Sequence, residues 1–215
     1  MNRIQLFGAL SVLALGAGVA YAQSAANMSF FVSSKNPGKG GNLGGLAGAD
    51  AHCQSLAAAA GAGNKMWHAF LSTSTVNAKD RIGKGPWVNV KGVQIAKDVK
   101  DLLGATNNKI NAETALTEQG KAPNYLGGNP PAPLAQPLQH DIMTGTNDDG
   151  TATANTCSNW TSGGDDVKTT LGHADRLGRA AGVNSWTNAH DSQGCSLEKL
   201  APTGSAGLIY CFVVN

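Results

Sequence analysis

Four cysteines, Cys53, Cys157, Cys195 and Cys211, in a chain that opens on a leader-like segment constrain this sequence more than any other feature. Arg3 supplies a positive start, Leu6 to Val19 is apolar but too short to span a bilayer, and Ala20-Tyr21-Ala22 has the small-x-small form of a cleavage site. The expectation is a signal peptide over residues 1–22, a mature chain from Gln23, and a secreted or periplasmic protein with no membrane span after cleavage. An even number of cysteines in an oxidising compartment implies two disulfides, and count alone leaves three connectivities open. No pair stands as CxxC, so neither a zinc–thiolate site nor a thioredoxin-type redox pair is expected. Bonded cysteines are also lost as nucleophiles.

Charge excludes a second class. The 16 basic and 14 acidic residues of the chain become 15 and 14 once Arg3 leaves with the leader, a formal balance of about +1. With no basic stripe interleaved with aromatics, no nucleic-acid partner is expected. The richness in Gly, Ala, Asn, Ser and Thr fits an exported bacterial protein.

Few stretches of the mature chain carry a clear period. Met28 to Ser34 reads as a short strand with Phe30 and Val32 on one face. Lys35 to Gly45 is glycine-rich but holds neither GxGxxG nor GK[ST], so it reads as a flexible loop and not a phosphate cradle. Leu46 to Ala60 is the clearest helix: Leu46, Ala49, Cys53, Leu56, Ala57 and Ala60 recur at three- and four-residue steps, with Gly61 as terminator. Met66 to Ser72 reads as a strand, with Trp67, Ala69 and Leu71 alternating against His68 and Phe70. Asn77 to Ile82 forms a turn or short helix, Pro86 to Val88 a short extended piece, and Ile95 to Leu103 a second helix. Periodicity then disappears from Gly104 to Gln139, a long excursion rich in Gly and Pro. Gly163 to Gly194 is irregular, with a short helix near Ala174 to Ala181. Gly207 to Asn215 is apolar on both faces, the pattern of a buried central strand. Together these describe one α+β domain over residues 23–215, with two short helices flanking small antiparallel sheets and a long irregular loop region.

The stretch from His140 to Ser162, HDIMTGTNDDGTATANTCSNWTS, concentrates the polar chemistry. It reads as a surface loop feeding a short strand anchored by Cys157 and Trp160, and binding commonly sits on loops held this way. Asn147, Asp148 and Asp149 offer hard oxygens that, with Asn188, Asp191 and Glu118, would suit calcium. The bland alternative is an Asx-rich turn that satisfies its own backbone. If calcium is bound, its free sites would take vicinal sugar hydroxyls. Trp186, in a polar loop, is then the better stacking candidate, while Trp160 belongs to the core. The five histidines, 52, 68, 140, 173 and 190, are scattered. His173-x-Asp175 and His190-Asp191 allow a metal pair or an oriented base, but ordinary surface or capping roles are the simpler reading. No GxSxG, HExxH or paired-carboxylate signature accompanies them, so catalysis is not expected.

Four blocks resemble the C-type-lectin-like fold, and within it the endostatin-like branch. They are Ala47-Gly-Ala-Asp-Ala-His-Cys53, His68-Ala-Phe-Leu-Ser-Thr73, the Gly145-Thr…Gly150…Cys157-Ser-Asn-Trp160 block and Tyr210-Cys211-Phe-Val-Val-Asn215. The resemblance spans Phe30 to Asn215. It implies Cys53–Cys211 nested around Cys157–Cys195, and terminal strands lying side by side. Two departures stand out. The long loop has Asn147-Asp148-Asp149 where sugar-binding relatives carry Glu-Pro-Asn or Gln-Pro-Asp, and Trp186-Thr187-Asn188 replaces Trp-Asn-Asp before the third family cysteine. Endostatin's zinc histidines and heparin-binding arginines have no alignable counterpart. The implied function is an exported lectin-like module that binds a carbohydrate or an extracellular protein ligand through the 144–149 and 185–191 loops. The alternative is a disulfide-stapled structural or protein-interaction domain of the envelope.

Overall fold

A computed structural model describes residues 25–104, 109–126, 137–177 and 184–214. The expected leader, the proline-rich 127–133 segment and residues 178–181 of the helix expected near Ala174 to Ala181 lie outside the described residues, and 174–177 form a turn, not a helix.

Strand β8, Ser205–Val213, is the axis of the fold. Its apolar residues on both faces are explained by two cores, one on each side. Ile209, Cys211 and Val213 enter one core, and Leu208, Tyr210 and Phe212 enter the other. Strands β1 (Phe30–Val32) and β2 (Trp67–Ala69) run antiparallel to β8, with Phe30 and His68 both opposite Phe212, so they take its two edges. The first core is roofed by helix α1, Gly45–Ala59, whose Ala49, Cys53, Leu56 and Ala57 face the sheet as the period requires. The second holds Phe70, Trp87, Tyr125, Trp186 and Phe212. The first expected strand therefore buries both of its faces: Phe31 joins the first core, Phe30 and Val32 the second.

A two-stranded hairpin follows, β3 (Trp87–Val88) with β4 (Gln94–Ala96). The helix expected from Ile95 to Leu103 is thus mostly replaced. Ile95 and Ala96 lie in β4, and only α2, Val99–Leu102, is helical, started by Asp98, whose carboxylate accepts from the Asp101 N–H at 2.7 Å. A cap inside the apolar run divides it into two elements.

After the 104–139 excursion, β5 (Asp141–Met143) enters parallel to β8, and β6 (Thr170–His173) and β7 (His190–Asp191) extend the sheet antiparallel. The sheet runs β1-β8-β5-β6-β7, with β2 on β8. It is therefore mixed and not purely antiparallel as expected, because a crossover this long lets a strand return in either direction. Helix α3, Leu197–Leu200, precedes β8. No helix among the described residues is long and apolar enough to cross a membrane.

Both disulfides sit in the first core. Cys53 pairs with Cys211, tying α1 to β8, and Cys157 pairs with Cys195 inside that 158-residue loop. This is the nested pairing the resemblance implied. The expected strand at Cys157–Trp160 is absent. Four successive residues there have φ of 49–66°, one left-handed turn, with the Thr156 hydroxyl accepting from Asn159 N–H at 3.1 Å. Such a turn is costly for L-residues. Here the disulfide at Cys157 and the buried indole of Trp160, which donates to Ser72 O at 2.7 Å, hold it from both ends.

The glycine-rich 35–45 loop is tethered, unlike the flexible loop expected. The Asn36 carboxamide accepts from the N–H groups of Gly38, Lys39 and Gly40 and donates to Gly40 O and Gly207 O.

Candidate functional site

The oxygen-rich turn comes first, because the sequence points to it. Thr144 and Asp149 bracket the segment that leaves β5, and 185–191 packs beside it. The two loops are bonded to one another. Asp148 Oδ1 accepts from the hydroxyls of Ser185 and Thr187, the latter at 3.0 Å, and Asn188 Nδ2 donates to Asn147 Oδ1 at 3.2 Å. Asp149 Oδ1 accepts from the N–H and hydroxyl of Thr151, and these bonds lower its pKa. These are the bonds of an Asx-rich turn, and the further oxygens weighed for a calcium shell are engaged elsewhere. Glu118 is buried and accepts from Ser34, while Asp191 accepts from Asn155 Nδ2 at 2.8 Å and Thr170 Oγ1 at 3.0 Å. Trp186, expected to be exposed for stacking, is 4 % exposed and packs on Phe70 and Tyr210 with ring centroids 4.8 and 5.2 Å away. The polar residues around it hid an aromatic anchor. It reaches the core because Gly172 on β6 lets the Trp186 backbone approach where any Cβ would clash.

The second site is one the sequence named only as scattered histidines. Register brings it together. Asp141 stands opposite His173 across β5 and β6, and His190 stands opposite Leu171 across β6 and β7, so the three share a face and neighbouring positions. His140 immediately precedes β5. Three imidazoles converge on one carboxylate: His140 Nε2 lies 3.3 Å and His173 Nε2 3.2 Å from Asp141 Oδ1, and His190 Nε2 lies 3.3 Å from Asp141 Oδ2. His140 and His173 stack at 4.6 Å, and His173 meets His190 edge-on at 5.0 Å. His140 and His173 are buried, correcting their reading as surface groups, whereas the His190 side chain is 33 % exposed and marks the open side. His52 and His68 do fit the ordinary reading, bonded to the carbonyls of Lys35 and Arg81.

Around this cluster the geometry is fixed from outside. His140 Nδ1 lies 3.2 Å from Asp175 Oδ1, and Asp175 accepts from the backbone N–H groups of Leu126 and Leu177. His190 Nδ1 faces its neighbour's carbonyl, Asp191 O, at 3.2 Å. Gly204 (φ 103°) leaves room for the His140 ring, since a Cβ there would stand 2.7 Å from Cδ2. Asp141 itself is fully buried, and the contacts of its carboxylate oxygens, like those of the His173 ring nitrogens, fall short of hydrogen-bond geometry.

The electrostatics follow the crowding. Burial opposes ionisation of Asp141, but the facing imidazoles of His173 and His190 outweigh it and hold its carboxyl down at about 2. Burial pulls His140 down, yet the bond to Asp175 and the charge of Asp141 leave it above its ordinary value. His190 is raised by its contact with Asp141 against the same burial. The cluster draws positive charge inward.

Fold and site thus define a disulfide-stapled domain of mixed α and β structure, carrying a buried imidazole–carboxylate cluster at one end of its sheet. A family model described as "Protein of unknown function (DUF1554)" matches residues 36–177, well over half of the 215-residue chain, and the protein belongs to that family. The matched segment contains His140, Asp141, His173 and Asp175. No curated protein matches the chain.

Proposed function

We propose that this protein is an exported binding module with a C-type-lectin-like fold of the endostatin-like branch, acting outside the cytoplasm after loss of residues 1–22. It takes a carbohydrate, or another ligand of the extracellular surface, on the face formed by segments 144–149 and 185–191. The observation that carries the reading is the interlocking of those two loops through Asp148, Ser185, Thr187, Asn147 and Asn188. A polar surface held by side chain–side chain bonds presents its groups at little entropic cost on binding. Paired terminal strands and nested disulfides support the fold assignment.

Recognition is direct and not bridged by calcium. Calcium needs six to eight oxygens, and the turn's carboxylates already accept from Ser185, Thr187 and Thr151. With Trp186 in the core, sugar binding here relies on hydrogen bonds and not on indole stacking. A glycan array run with calcium and with chelator tests this. Equal signals in both conditions, lost in an Asn147→Ala, Asn188→Ala double variant, are expected. Silence in both, together with recovery of a single protein from envelope fractions, would favour the structural-domain alternative.

A further inference from the structure

We infer that His140, His173 and Asp141 form a binding site for one divalent transition-metal ion of the zinc class, with both Nε2 atoms and Asp141 Oδ1 as ligands. The first argument is spacing. An ion held tetrahedrally at about 2.0–2.1 Å from each donor keeps neighbouring donors about 3.3 Å apart. Asp141 Oδ1 lies 3.3 Å from one Nε2 and 3.2 Å from the other, and the three donor atoms all fall within 4.8 Å of one another. The contacts of Asp141 with these ring nitrogens fall short of hydrogen-bond geometry.

The second argument is tautomer and charge. An ionised carboxylate only accepts, so Asp175 requires a proton on His140 Nδ1. Asp191 O requires the same of His190 Nδ1. With Nδ1 engaged in each ring, Nε2 is the atom left to ligate a metal, and in both rings it faces the fully buried Asp141 carboxylate. A carboxylate buried among ring nitrogens is costly without a compensating positive charge, and a metal ion between them supplies one. A single dication cancels the charges of Asp141 and Asp175 and turns every Nε2–carboxylate contact favourable. The Asp175–His140 pair is the carboxylate–histidine arrangement that fixes ring orientation behind a metal ligand.

Imidazole donors favour zinc and its neighbours over calcium or magnesium. Three protein ligands leave at least one position open. His190, on the outer oxygen Oδ2 and one-third exposed, lies on the side from which a water or ligand reaches it.

Calorimetric titration tests this on the disulfide-bonded chain, stripped with chelator and carrying no histidine tag. Zinc chloride should bind at one ion per chain, calcium chloride should give no heat, and His173→Ala should weaken zinc at least 100-fold, while His52→Ala and His68→Ala leave it unchanged. Because His173→Ala also empties a buried position, cobalt(II) is added to the unaltered chain as a second readout, where the strong visible bands of a four- or five-coordinate ion are expected. A hexaaqua-like cobalt spectrum, absence of zinc binding, or losses in His52→Ala or His68→Ala equal to that in His173→Ala would overturn the assignment.

Discussion

Two carboxylate-bearing regions lie at opposite ends of the short strand β5, and they differ in how their oxygens are used. In the Asn147–Asp149 turn the acids sit at the surface, and Asp148 and Asp149 accept from hydroxyls and an N–H. At Asp141 the carboxylate is fully buried, and three imidazoles face it outside hydrogen-bond geometry. Hydrogen-bond satisfaction separates them more sharply than residue type does. A turn rich in Asn and Asp can spend its oxygens on its own fold. The buried carboxylate of Asp141 is instead faced by ring nitrogens. The segment 184–191 touches both regions: Ser185 Oγ donates to Asp148, Ser185 O accepts from the His173 N–H at 2.8 Å, and His190 faces Asp141.

The largest expected effect comes from breaking that shared segment. Trp186→Ala removes an indole packed on Phe70 and Tyr210, and should cost about 3–5 kcal/mol in denaturant unfolding. Both regions should loosen together, seen as faster amide exchange at Thr187 and His173 alike. Exchange confined to one would break the link between them. Next in size is the metal itself. At free zinc a hundredfold above its dissociation constant, stability should rise by about 2.7 kcal/mol, and the same calcium concentration should leave the melting temperature where it was. A calcium shift without a zinc shift would invert the comparison.

The parts of this contrast differ in how far they could be read beforehand. Helix α1 and strand β8 were legible because their signals are local: alanine and leucine at helical steps, and an unbroken apolar run. The two cysteine pairings needed the family resemblance, since count left three connectivities. The turn at Cys157–Trp160 was not legible, because no glycine or other left-handed former except Asn159 announces four positive φ values. Trp186 was misplaced because its neighbours are polar, while what buries it is Gly172 on a different strand. The cluster escaped for the same reason on a larger scale. His140, His173 and His190 were each visible, but Asp141 was not singled out, and only strand register makes Asp141 and His173 opposite one another. A register between strands thirty residues apart has no signature in either strand alone.

Two smaller changes separate the regions one at a time. Gly204→Ala places a methyl 2.7 Å from His140 Cδ2 on a backbone with φ of 103°, so it should cost about 1–2 kcal/mol and weaken zinc binding about tenfold, without touching the outer turn. Zinc affinity equal to that of the unaltered chain would mean that the His140 ring is not held where the site needs it.

The smallest expected effect is the sharpest for the comparison. Asp148→Ala deletes the acceptor shared by the Ser185 and Thr187 hydroxyls, yet those hydroxyls remain bonded to each other at 3.0 Å. The loss should stay below about 1 kcal/mol, the range of exposed polar substitutions. Zinc affinity should not move, since Asp148 contributes no ligand and the 184–191 backbone still donates and accepts at β6. Glycan or surface-ligand binding should fall, because the loops lose the bond that sets their spacing. If instead zinc affinity falls with it, the turn and the cluster are one site, and the difference in how their carboxylates are satisfied describes two layers around a single ion.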